Sequence, residues 1–96
     1  MTGKAIAKKL VTKQNEIGDC SDAYLLPPNP VGQPNVCWHY KGKTYMFITK
    51  NENGVETKHD IIRSVKLEEC GIPVYIVYTW EEAKERVAKI LLNRKD

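Results

Sequence analysis

Residues 36–50 read Val-Cys-Trp-His-Tyr-Lys-Gly-Lys-Thr-Tyr-Met-Phe-Ile-Thr-Lys. Two runs rich in aromatic and β-branched residues flank Lys41-Gly42-Lys43, the pattern of two strands joined by a tight turn. The stretch is therefore read as an antiparallel hairpin, with strands at 36–40 and 44–50. Side chains alternate along a strand. Asn35, Cys37 and His39 then share one face, and Val36, Trp38 and Tyr40 the other. On the second strand Met46, Ile48 and Lys50 oppose Tyr45, Phe47 and Thr49. The aromatic set Trp38, Tyr40, Tyr45 and Phe47 reads as core under helices. Asn35, Ile48 and Lys50 lie at the open end of the hairpin, where they can converge.

Outward from the hairpin, residues 4–17 show helical spacing of Ala5, Ile6, Leu10, Val11 and Ile17, with lysines opposite. Gly18-Asp19 ends that helix. Residues 23–26 form a short apolar run read as a strand. Pro27-Pro28-Asn29-Pro30 forces a rigid connector. On the other side of the hairpin, Asn53-Gly54 marks a turn. Thr57 with Asp60 is a capping pair for a helix over 59–70, stopped by Gly71. Residues 74–78 are continuously apolar, as in a strand covered on both faces. Thr79-Trp80-Glu81-Glu82 is a capping box, and Trp80, Ala83, Val87, Ile90 and Leu91 form the inner side of the helix it opens. The order is α-β-β-β-α-β-α. A helix precedes the last strand, which must therefore pair parallel to an earlier one. The expected fold class is α/β: a small mixed sheet flanked by helices.

The chain has 96 residues, 42% of them hydrophobic and 28% charged. That suits one folded domain over 1–96 and excludes a disordered chain. No apolar run approaches the roughly 20 residues of a membrane span. The lysine-bearing N-terminal stretch has no apolar segment of a secretory signal. Cys20, Cys37 and Cys70 are an odd set without a C-x-x-C pair, as expected of free thiols in a reducing cytoplasm.

The net charge is +3, and it is unevenly spread. Lys4, Lys8, Lys9 and Lys13 are followed by a stretch with Glu16, Asp19 and Asp22 and no cation until Lys41. A lysine-rich helix face is either simply solvated or tracks a phosphate backbone. Cys37 and His39 invite a zinc reading, but zinc sites pair their ligands at short spacing. Cys20, Cys70 and His59 are scattered, so no metal site is expected. A Cys-His hydrolase is not expected either, since side chains two apart on a strand point the same way without aiming at each other.

Gly32-Gln33-Pro34-Asn35, Lys41-Gly42-Lys43 and Phe47-Ile48-Thr49-Lys50, taken in series, resemble the VRR-NUC branch of the PD-(D/E)xK, restriction-endonuclease-like nucleases. Members carry a G-x-P-D loop, a hairpin and an E-x-K strand. A Ser/Thr-capped helix follows, with Gln in its first turn and a Leu and a Gly further along. An apolar strand and a Glu-rich helix complete the series. Here Thr57, Asp60, Leu67, Gly71, residues 74–78 and residues 79–82 keep that order, and the resemblance covers nearly the whole chain.

The departures fall on the metal site. The family's Asp is Asn35, its Glu is Ile48, and its helix-one Glu has no counterpart after Thr2-Gly3-Lys4. Asp60 stands where Gln is usual, and Lys50 is retained. Magnesium requires hard oxygen ligands, preferably carboxylates. The degenerate positions Asn35, Ile48, Lys50 and Asp60 thus imply no resident metal or cofactor and no assured catalysis.

Three readings follow from the resemblance. The first is a catalytically degenerate nuclease fold that binds nucleic acid, DNA rather than RNA, through Lys4, Lys8, Lys9, Lys13, Lys41, Lys43 and Lys50. The second is a phage-encoded protein-binding inhibitor of a host defence nuclease, of anti-CRISPR type. The third is an active Mg²⁺- or Mn²⁺-dependent endonuclease that recruits Glu52, Glu56 or Asp60. All three place the chain in the cytoplasm of a bacterium or phage-infected cell, away from membranes. A homodimer is compatible with each.

Overall fold

The computed structural model describes residues 1–27 and 34–93, with the backbone alone for residue 93. The elements are α1 (Gly3–Asn15), β1 (Ser21–Leu25), β2 (Val36–Tyr40), β3 (Lys43–Thr49), α2 (Lys58–Glu69), β4 (Val74–Val77) and α3 (Trp80–Asn93). They form a four-stranded mixed sheet in the order β1-β2-β3-β4. The β1–β2 and β2–β3 pairs are antiparallel, and β4 runs parallel to β3 after the α2 crossover. Residues 28–33 of the expected connector and G-x-P loop lie outside the described residues.

The hairpin closes as its sequence requires. Tyr40 pairs with Lys43 across a two-residue turn. Lys41 (φ 50°) and Gly42 (φ 80°) both take left-handed backbone, which matches the twist of the flanking strands. The helices are capped by the expected residues. The Thr57 hydroxyl accepts from the Asp60 amide while the Asp60 carboxylate accepts from the Thr57 amide. Thr79 and Glu82 make the same reciprocal pair at α3. Gly71 ends α2 at φ 87°.

One face of the sheet carries the core. Trp38 and Phe47 are fully buried, with Tyr40 and Tyr45 close to it. The Trp38 ring lies 5.2 Å from each of Tyr40 and Tyr45. Ile6, Ala7 and Leu10 of α1, and Ala83 and Ile90 of α3, join this cluster. Both helices therefore form one layer over one face. The inner side of α1 differs from the sequence reading. Gly3, Ala7 and Gln14 are buried with Ile6 and Leu10, while Ile17 falls beyond the helix and is exposed. The helix ends two residues earlier than the apolar spacing implied.

The opposite face bears Tyr24, Cys37, His39, Met46, Ile48 and Ile76, as the register dictates. Of the three helices, α2 lies on that side, packed against β4. Tyr24, at the β1 edge, is 42% exposed. The β4 strand is buried at Val74 and Val77 but only half-buried at Tyr75, on the core face, and at Ile76, on the α2 face, so it is not covered throughout. No helix is long and apolar enough to cross a membrane, among the described residues.

Candidate functional site

Asn35 comes opposite Ile48, and Lys50 pairs with Asp60. Asn35 stands one step beyond the Val36–Phe47 pair, which sets it opposite Ile48. Its amide donates to the Phe47 carbonyl at 2.8 Å, and its side-chain carbonyl accepts from the Thr49 amide at 3.0 Å. Asn35 thus extends the β2–β3 ladder, and its oxygen is engaged by backbone. Ile48 is buried and pairs with Ile76 of β4. A hydrocarbon side chain thus faces Asn35 and offers no ligand.

Lys50 follows β3, where its amide donates to the Val77 carbonyl. Its ammonium meets the Asp60 carboxylate at 2.7 Å, and the Asp60 side chain is 2% exposed. Burial pushes the Asp60 carboxyl up, but the Lys50 ammonium and the Thr57 amide and hydroxyl outweigh it. The result lies below the ordinary carboxylate value. Lys50, a candidate phosphate contact or a solvated strand-end lysine from sequence, has its charge paired with Asp60.

The N-terminus of α1 is pinned to the same strand end. The Gly3 amide donates to Asn51 Oδ1 and the Thr49 hydroxyl donates to the Gly3 carbonyl, each at 2.7 Å. A Cβ on Gly3 would lie 2.7 Å from the Thr49 carbonyl oxygen. The close approach of helix to strand leaves room only for glycine at this position.

These residues do not fit Mg²⁺. Asn35 and Ile48 supply no charge, Asp60 is committed to Lys50 and Thr57, and Glu52 lies out by the N-terminal amine at 4.0 Å. Among the described residues no three His, Cys, Asp or Glu side chains group around a metal position.

The other expected cations divide between two places. All four lysines of α1 are exposed. Lys4 and Lys8 have no ion-pair partner among the described residues, Lys13 reaches Glu16 at 3.6 Å, and Lys9 lies 4.7 Å over the Trp80 ring. Lys41 and Lys43 sit at the hairpin turn, each 5.6 Å over a tyrosine ring, Tyr40 and Tyr45 respectively. Sequence reasoning missed Arg86 and Lys89 of α3, which border one cleft with Lys43. Their one-turn spacing was legible, but nothing in the sequence places α3 beside the turn.

One expectation about Cys37 and His39 needs correction. The Cys37 sulfur lies 3.6 Å from His39 Nε2, which also meets the Tyr24 hydroxyl at 3.0 Å. The Thr44 hydroxyl holds Nδ1 at 2.8 Å. Side chains on one strand face lean along the strand, so the imidazole reaches a neighbour two residues away. The neighbouring Cys37 raises the Tyr24 hydroxyl pKa. Cys37 is buried, Cys20 and Cys70 are exposed, and none of the three is in a disulfide.

Comparison with family models, with curated proteins and with solved structures finds no match.

Proposed function

We propose that this chain binds nucleic acid on the outer side of its helical layer and does not cut it. The observation that carries the reading is charge segregation. Residues Gly3–Asn15 hold four exposed lysines and no acidic side chain. A helix of that kind lies along phosphates without the repulsion of interspersed carboxylates. The element order, the parallel β3–β4 pair and the placing of Asn35 opposite Ile48 and of Lys50 against Asp60 support a scaffold of VRR-NUC type, related to restriction endonucleases. The replaced carboxylates support lost cleavage. In this reading the chain acts in the cytoplasm of a bacterium or a phage-infected cell, on DNA before RNA.

Fluorescence anisotropy with labelled duplex DNA, single-stranded DNA and RNA tests it. Binding should weaken steeply between about 50 and 200 mM salt. The triple variant K4Q/K8Q/K13Q should lower the slope of log affinity against log salt by about 2 to 3. Absence of binding to all three probes at the lower salt would end the reading.

A second reading is favoured by α2. Ile61, Ile62 and Val65 are each about half exposed on one helix, which suits contact with a protein partner such as a host defence nuclease. An inhibitor of anti-CRISPR type would lose its nuclease partner on I61S/V65S and keep it on K4Q/K8Q/K13Q. The opposite pattern supports nucleic acid as the partner.

A further inference from the structure

A cationic concavity lies at the other end of β3 from Lys50, between the hairpin turn and the last helix. A cleft of about 380 Å³ is lined by Lys43, Tyr45, Pro73, Tyr75, Arg86, Lys89 and Ile90. We infer that this cleft is a nucleotide-phosphate site, with Lys43, Arg86 and Lys89 holding the phosphate and Tyr75 with Arg86 offering a flat surface to the base. For a strand-borne phosphate the inference rests on the nucleic-acid reading above. For a free mononucleotide it stands alone.

Two elements bring three cations to one opening. Lys43 begins β3 and is exposed. Arg86 and Lys89 lie three residues apart on α3, so they emerge on neighbouring sides of that helix. Neither Lys43 nor Arg86 has a carboxylate partner among the described residues. Lys89 shares its charge with Glu85 at 3.4 Å, an exposed pair worth little. Glu68 is the other acid whose field reaches the cleft, through Tyr75. The opening therefore keeps a positive excess that favours a phosphate anion.

The aromatic walls give this site more than charge. The Arg86 guanidinium is 5.7 Å from the Tyr75 ring centre and Lys43 is 5.6 Å from that of Tyr45. Such stacking restricts the cations before any ligand arrives. A planar guanidinium binds phosphate through two parallel N–H donors. Tyr75 is half-buried, and the Phe47 ring behind it, 5.4 Å away, fixes its plane. Bases stack on such tyrosine and arginine planes without regard to identity. Burial also raises the Tyr75 hydroxyl pKa. The cleft volume lies within the range of small-ligand sites.

The test is a set of NMR titrations of the full chain with inorganic phosphate, AMP, a 5′-phosphorylated hexathymidylate and its 5′-hydroxyl counterpart. AMP should shift the Tyr75 ring and Arg86 side-chain signals more strongly than inorganic phosphate does. R86Q should weaken AMP binding at least about tenfold. Both residues changed by R86Q and K89Q are exposed, and thermal melts check that those variants fold. K4Q/K8Q/K13Q should leave AMP binding intact. A response to the phosphorylated oligonucleotide but not its hydroxyl form assigns the site to strand ends, and a response to AMP alone assigns it to free nucleotides. If AMP binds while no nucleic acid does, the cleft stands and the nucleic-acid reading falls. Equal affinity for phosphate and AMP, unchanged binding by R86Q, or unmoved cleft signals up to about 10 mM of each ligand would overturn the inference.

Discussion

Gly3 and Asp60 show how single residues hold the strand end after β3. Alanine is normally the better helix former by about 1 kcal/mol, so Gly3→Ala would stabilise an isolated helix. Here the added methyl would sit 2.7 Å from a backbone oxygen, and neither α1 nor β3 can retreat without losing the hydrogen bonds between Gly3, Asn51 and Thr49. The clash wins at the first helical position, and Gly3→Ala should cost about 1–3 kcal/mol in urea unfolding. Asp60 acts through charge. Its folded pKa lies below the unfolded value of about 3.9. Its contribution is therefore complete above that value and fades as pH falls through the folded pKa. Asp60→Asn should destabilise by about 1–3 kcal/mol at pH 7, less than a fully buried pair because Lys50 keeps some solvent contact. The gap between wild type and variant should narrow below about pH 4. A gap that stays constant into the acid range would show that Lys50 and Asp60 are not coupled.

At the scale of elements, most of the fold is legible in local pattern. The hairpin, both capping boxes and the Gly71 stop follow from contacts within a few residues, which sequence spacing encodes directly. Ends read less well where distant partners decide. The first strand begins at Ser21 rather than at Ala23 because Ser21 joins three elements. Its hydroxyl donates to the Gln14 carbonyl at 2.6 Å and accepts from the Trp38 indole at 2.7 Å. Asn15 likewise bonds both the amide and carbonyl of Ala23. No periodicity marks such bridges, since a serine before an apolar run looks like any turn residue. Ser21→Ala would leave a buried indole N–H without its acceptor. Loss of about 1–3 kcal/mol is expected, with the Trp38 fluorescence maximum and melting temperature as readouts. A neutral effect would mean that the indole finds another partner when α1 and β1 part.

For the whole molecule, the legibility of the site has a different limit. Which positions meet follows from topology, so the placing of Asn35 opposite Ile48 is within reach of the sequence. What each does depends on which neighbour satisfies it, and the Lys50–Asp60 pair and the Asn35 bond to Thr49 could not be read before the fold existed. The same holds for Arg86 and Lys89, brought to Lys43 only by the packing of α3. If the scaffold is a nuclease framework whose acids were replaced, then returning them should return the ion. N35D/I48E would place two carboxylates opposite each other, beside Lys50 and Asp60. The aspartate that replaces Asn35 can still accept from the Thr49 amide, whereas a glutamate in the place of buried Ile48 costs about 2–4 kcal/mol. Calorimetric titration should then detect Mn²⁺ uptake by the folded double variant and none by the wild-type chain, with Mn²⁺ raising the variant's melting temperature by mass action. Equal uptake by both proteins would mean that the wild-type carboxylates already assemble a divalent site, and an endonuclease with relocated ligands would become the better account.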